Sequence, residues 1–229
     1  MSTPKTQRSD GNETRTRIKA VAQRLFALHG IHGVAIKDIV EAAEQRNKAS
    51  VQYHFGSTEG LIGELLVDGA KQIDAFRQAM LNEMAAAGGP RNVRDVLQAF
   101  IRPVDQMAES AEGSTYLRFL SNVQMTHRAL IKTHIGNRWN AGYRQCLEHF
   151  RALLGHIPPA LVEQRMSLVA TYATAIFAAK EAARDEGRTS SRFWSVPYTL
   201  DNIIDTFQAM LECTPSASTL ELLDERDSA

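Results

Sequence analysis

Only two cysteines, Cys146 and Cys213, occur in the 229 residues. No CxxC pair or Cys/His cluster is present, so no structural zinc site is encoded, and two isolated thiols suit a reducing cytosol. No apolar run approaches the roughly 20 residues that a membrane-spanning helix needs. The amino-terminal MSTPKTQRSDGNETRTR has no apolar centre, so no signal peptide is expected. Phosphate-loop, GxGxxG, HExxH and GxSxG patterns are all missing. Valine and isoleucine never alternate with polar residues over strand length. Charge of one sign is not in excess either, because 26 Lys and Arg balance 26 Asp and Glu. Together these absences describe a soluble cytoplasmic protein that is not an enzyme, with no cofactor, no metal and no membrane partner.

What is present is helical periodicity and an uneven placement of charge. Residues 1–60 hold nine Lys and Arg against six Asp and Glu, and the remainder holds 17 against 20. A mildly basic amino-terminal segment on a mildly acidic body suggests two jobs. Hydrophobic residues make up 44% of the chain, enough at this length to bury a substantial core.

The expected fold is all-α, with a three-helix amino-terminal domain and a larger helical bundle. Residues 1–11 read as a flexible tail. A first helix is predicted from Glu13 to His29, capped by Asn12 and ended by Gly30, with Ile18, Val21, Ala22, Leu25 and Phe26 on one stripe. Ile36, Ile39, Val40 and Ala43 mark a short second helix. After the turn EQRN, Asn47 can cap a third helix that ends at Gly56. Ser57 can cap a long fourth helix reaching about Ala86, with Leu61, Ile62, Leu65, Leu66, Ile73, Phe76 and Met80 as its stripe. Further helices are predicted at about 92–110, 114–128, 137–155, 159–186 and 198–213, with Pro103 kinking or splitting the first of them. From Thr214 onward the chain reads as a frayed tail. The domain boundaries are therefore 12–56 and 57–213, between tails 1–11 and 214–229.

The third helix, within NKASVQYHFGST, is short and polar. Val51 and Phe55 lie one turn apart and can pin it down. Ala49, Gln52 and Tyr53 fall on the opposite stripe, with Lys48 and Ser50 at its start. A helix anchored this way after another short helix has the helix-turn-helix layout, whose second helix enters the DNA major groove. Gln can read adenine through both amide groups, Lys reaches guanine or phosphate, and Ser and Tyr hydroxyls hold phosphates.

Residues about 14–62 resemble the DNA-binding domain of the tetracycline-repressor-like (TetR) family of bacterial transcription regulators. The resemblance rests on AQRLFALHGIHGVAIKDIVEAA, NKASVQYHF and GSTEGLI, above all on the Tyr-His-Phe end of the recognition helix and the Gly-Ser turn after it. It implies that Lys48, Ser50, Gln52, Tyr53 and His54 meet DNA, and that Lys37 and Thr58 touch its backbone. Arg15, Arg17 and Lys19 would add electrostatic grip. The sequence departs from the family at three places. Ala35 replaces the usual capping Thr, AEQRN replaces the shorter AGVS turn, and Thr58 replaces a common Lys.

The resemblance further implies a repressor released by a small molecule, acting on a palindromic double-stranded DNA operator. It also implies a homodimer through the helices at about 159–186 and 198–213. The expected ligand is unidentified and mainly apolar, lying among Phe100, Tyr116, Phe119, Trp139 and Tyr143, with Arg118 available for an anionic group. Gly63 and Gly69, in the helix joining the two regions, are either flexible points or sites of close packing. The alternative function is a helical ligand-binding or scaffold protein that has lost DNA reading.

Overall fold

The computed structural model describes residues 4–45, 47, 49–110, 115–136, 138–186 and 193–227. Among them are eleven helices and no strand: α1 (Pro4–His29), α2 (Ile36–Ala42), α3 (Ala49–Phe55), α4 (Thr58–Ala86), α5 (Val93–Glu109), α6 (Tyr116–Thr126), α7 (Arg128–His134), α8 (Ala141–Leu153), α9 (Pro159–Asp185), α10 (Thr199–Glu212) and α11 (Ala217–Asp227). No helix among the described residues is long and apolar enough to cross a membrane.

The capping chemistry sets several of these boundaries. Asn47 Oδ1 accepts the Ala49 N–H at 2.9 Å and starts α3. Ser57 Oγ accepts the Gly60 N–H at 3.0 Å and starts α4, and Asn92 Oδ1 does the same for Asp95 on α5. Ala35 offers α2 no side-chain acceptor. The other half of a capping box survives, because Asp38 Oδ2 accepts the Ala35 N–H at 2.8 Å. The chain reverses after α2 at Glu44, which takes the left-handed conformation at φ 55°, a cost of about 1 kcal/mol for a residue with a Cβ.

Several elements depart from the pattern. Helix α1 begins at Pro4 rather than Glu13, so Asn12 lies inside the helix and accepts the Thr16 hydroxyl through its carbonyl. Proline suits a first helical turn, and the Lys, Gln, Arg and Glu residues that follow are good helix formers. Helix α5 runs as one helix through Pro103, held by the burial of Phe100, Ile101, Val104 and Met107. The region after Tyr116 forms two helices, because His127 leaves helical geometry at φ −139° and ψ 39°. Helix α11 forms where a tail is expected, and Ser216 Oγ accepts the Thr219 N–H at its start.

One continuous core joins both regions. Ile18, Ala22 and Phe26 of α1 pack with Ile39, Val40, Val51 and Phe55 and then with Leu61 and Leu65 of α4. On α4 the buried stripe includes Arg77 and Leu81, while Phe76 and Met80 are half-buried. Helix α6 carries the small domain on one side. Its Asn122 Nδ2 donates to the Phe26 carbonyl at 2.8 Å, Phe119 meets the Phe26 ring at 6.1 Å, and Thr115 accepts from Gln23 at 3.1 Å.

The first turn of α6 is held from α9 by Glu181, which is fully buried. Its carboxylate accepts the Leu117 and Arg118 backbone N–H groups at 3.1 and 3.0 Å. Burial pushes this carboxyl up to about 7 against the pull of those N–H groups and of Arg118. The folded chain therefore binds this proton more tightly than the unfolded chain. The contribution is greatest below the unfolded pKa of 4.5 and is lost as pH rises through about 7. Parent stability relative to Glu181→Gln is expected to fall by up to about 3 kcal/mol between pH 4.5 and pH 8, read from chemical unfolding at each pH. A difference that stays constant with pH would contradict this account of Glu181.

Two glycines of α4 are close-packing positions. A Cβ on Gly69 would lie 2.1 Å from the Tyr116 ring, and one on Gly63 would lie 2.3 Å from the His134 ring. Tyr116 is 1% exposed and donates its hydroxyl to the Leu66 carbonyl at 3.2 Å, so its ring is fixed. His134 is half-buried at the end of the short α7 and can swing away. Gly69→Ala is accordingly expected to cost about 1–3 kcal/mol through overpacking. Gly63→Ala should stay within about 1 kcal/mol of the parent, since the gain in helix propensity offsets a small shift. Equal melting temperatures for the two variants would refute this contrast.

Candidate nucleic-acid interface and ligand chamber

Helix α3 is anchored by Val51, 1% exposed, and Phe55, 8% exposed. That placement turns the other side outward. Gln52 is exposed and Tyr53 is 85% exposed. Ala49 is exposed beside them, and Ser50 and His54 are half-buried. The Tyr53 and His54 rings meet edge to face at 5.0 Å. Lys37, on the first turn of α2, is exposed and makes no ion pair among the described residues. Thr58 is half-buried at the start of α4, beside the capping Ser57. Lys48 lies outside the described residues.

Arg15, Arg17 and Lys19 of α1 each make ion pairs within the protein. Arg15 pairs with Glu64 of α4, and its guanidinium lies 5.3 Å from the Phe55 ring. Lys19 pairs with Asp68 and lies 3.6 Å from Glu64. Arg17 reaches Glu44 at 3.1 Å. These pairs tie α1 to α4 and to the turn before α3.

A second feature lies in the bundle. A chamber of about 900 Å³ opens between α4, α5, α6, α7, α8 and α9. Phe100, Tyr116, Trp139 and Tyr143 line it, and Phe119 does not. Phe119 is fully buried between Phe26 and Tyr116, where it joins the core to the small domain. Arg118 is also absent from the chamber wall, because Glu181 and Asp185 hold it. The wall contains instead Arg77, Gln124, Arg128, Lys132 and Asn140. Gln124 Oε1 and Asn140 Oδ1 are buried without a hydrogen-bond partner among the described residues. Burial pushes the Tyr116 hydroxyl well above its ordinary pKa, and the Tyr143 hydroxyl also rises. Burial takes the neighbouring Cys146 thiol up to about 12. All three are neutral at physiological pH.

Sequence reading misses the polar part of this wall. One signal for Arg77 exists: it falls four residues after Ile73 and four before Leu81, on the buried stripe of α4. An arginine in that register is a buried cation.

An exposed polar recognition helix, pinned to a small three-helix domain on a large helical bundle, defines a helix-turn-helix DNA-binding regulator. The model for bacterial regulatory proteins of the tetR family matches residues 18–65. The model for the tetracyclin repressor-like C-terminal domain matches residues 98–210. The chain belongs to the TetR family and is a DNA-binding transcriptional regulator.

Solved structures share its fold at low identity. A tetR family transcription regulator from Shewanella sp. PV-4 aligns at 14% identity and a TM-score of 0.59, over 85% of this chain and 96% of that one. PfmR, a TetR family transcriptional regulator from Thermus thermophilus, aligns at 16% and 0.51, over 87% and 100%. The transcriptional regulatory protein RHA5900 aligns at 15% and 0.52, over 88% and 100%. A comparison with curated protein sequences finds no match.

Proposed function

We propose that this regulator is a cytoplasmic homodimeric repressor that reads a palindromic operator with α3 and is released when a small molecule fills the bundle chamber. The observation that carries the reading is the two-sided α3. Buried Val51 and Phe55 support Gln52 and Tyr53, which face solvent. Gln52 is assigned to a base edge. Tyr53, Ser50, His54, Lys37 and Thr58 are assigned to the phosphate backbone. The working units are the three-helix domain up to residue 56 and the bundle that follows.

The chamber can act on α3 through two physical links. Its wall includes Ala70, Ile73 and Arg77 of α4, and α4 begins at the end of α3. It also includes Tyr116 and Gln124 of α6, and α6 holds the α1 carbonyls through Asn122. A ligand that separates α4 from α6 would shift both supports of the small domain. Such a shift requires tighter ligand binding to the released arrangement.

Dimerisation through α9 and α10 is supported by an outward stripe on α9. Leu168 and Tyr172 are 43% and 45% exposed, and Ala175 and Ala179 continue the stripe. Small residues permit close helix approach, and two exposed apolar side chains need cover. Sedimentation at micromolar concentration should give twice the chain mass. Leu168→Glu combined with Tyr172→Glu should shift it to the monomer without loss of helix content. A monomeric parent would refute the dimer.

The test of the whole reading is a footprint on the DNA upstream of its own gene. It should show two protected half-sites centred about 34–36 Å apart, or a multiple of that spacing. A single half-site, or no footprint at any concentration, would count against it.

A further inference from the structure

We infer that the chamber takes an amphipathic organic acid, an apolar body bearing an anionic group, with Arg77 as the counter-ion. This rests on the reading of the chamber as a ligand site. Arg77 is 7% exposed, and no described carboxylate lies within ion-pairing distance of its guanidinium. Asp74, one turn earlier on α4, is turned to the Gly142 N–H at 2.8 Å. Arg77 Nη2 donates to the Phe100 carbonyl at 3.2 Å, and its Nε has no partner. The guanidinium lies over the Phe100 ring at 4.6 Å.

A buried cation with no counter-ion is unfavourable unless something else compensates it. Burial pushes the Arg77 pKa down, and the Asp74 carboxylate opposes the shift without pairing with the guanidinium. Arginine nonetheless remains protonated in proteins. Cys146 cannot serve as the anion, because its thiol is neutral. No described residue supplies Arg77 with an ion-paired anion, so an anionic group on a ligand would complete the site.

The rest of the wall agrees with that conclusion by a separate route. Among the described residues it contains three cations, Arg77, Arg128 and Lys132, and no Asp or Glu. Arg128 and Lys132 stand one turn apart on the exposed α7 and make no ion pair among the described residues. An entrance of one sign draws in ligands of the other. The wall also carries apolar side chains, Leu117, Leu120, Ile131 and Ile135 among them. Gln124 and Asn140 each leave a buried amide oxygen without a donor, so a ligand hydroxyl or N–H along the apolar body would complete the fit.

Isothermal titration calorimetry on the full chain tests the proposal with three probes of equal chain length, each below its micelle concentration: dodecanoate, dodecanol and dodecyltrimethylammonium. The parent should bind dodecanoate at least tenfold more tightly than dodecanol and should bind the cation least. Arg77→Met should lose at least tenfold in dodecanoate affinity with dodecanol unchanged. Its unliganded melting temperature should equal or exceed the parent's, because an apolar chain replaces an uncompensated charge. A purely structural Arg77 would lower the melting temperature and leave the order of the probes intact. Arg77→Lys, which keeps the charge without the planar fork, should lose less than Arg77→Met and serves if the methionine variant fails to fold. Dodecanol binding as tightly as dodecanoate, or undiminished dodecanoate binding by Arg77→Met, overturns the acid while leaving the chamber as a ligand site. Failure of all three probes to bind removes the chamber reading as well.

Discussion

Gln52→Ala is expected to weaken operator binding by about 1–3 kcal/mol at each half-site, because a bidentate amide contact to a base edge is lost. A dimer on two half-sites would lose about 2–6 kcal/mol, roughly 30-fold to 20,000-fold in affinity. Affinity for random DNA should hardly change, since phosphate contacts carry that binding. Fluorescence anisotropy with both DNAs reads the two effects separately. Gln52 is exposed, so the variant should melt with the parent. Parent-like operator affinity in both Gln52→Ala and Lys48→Ala at every salt concentration would mean that α3 does not read DNA. The protein would then be a helical ligand-binding or scaffold protein that has lost DNA reading.

Phe55→Ala should act on the same seven-residue helix in the opposite way. The ring is 8% exposed and belongs to the core shared with α1 and α4. Truncating it leaves a cavity, and the expected loss is about 3–5 kcal/mol, toward the lower end because an edge of the ring already meets solvent. The Arg15 guanidinium 5.3 Å away also loses its aromatic face. Thermal melting followed by circular dichroism measures the loss. DNA binding should fail through loss of fold, at all sequences together. A variant that melts like the parent would show that Phe55 does not anchor α3.

These contrasting outcomes follow from features of α3 that the sequence displays openly. Val51 and Phe55 are four residues apart, Asn47 and Ser57 are capping residues, and the structure uses all four as the pattern predicts. Local chemistry is legible because it depends on neighbours in the chain. What the pattern hides depends on distant partners. Arg15 reads as a DNA contact, yet its partner Glu64 lies 49 residues further on. Helix α7 has no buried residue, so no apolar stripe announces it, and the break at His127 arises where its ring meets that of His32 on the small domain at 4.6 Å. Phe119 and Tyr116 are three residues apart on one helix, but only Tyr116 meets the chamber. The direction from which α1 approaches decides that, and composition cannot show it. Arg77 is the instructive case. Its register on the α4 stripe marks it as buried, while the absence of an ion pair to it among the described residues is visible only when every neighbouring element is in place.

The central claim is that this chain recognises a DNA sequence through α3. The most direct measurement is the ratio of parent affinities for the DNA upstream of its own gene and for random DNA of equal length. Both are titrated at several salt concentrations. The expected ratio is at least about 1,000 at physiological salt, with binding to both DNAs weakening as salt rises. Equal affinity for the two DNAs at every salt concentration would contradict recognition through α3.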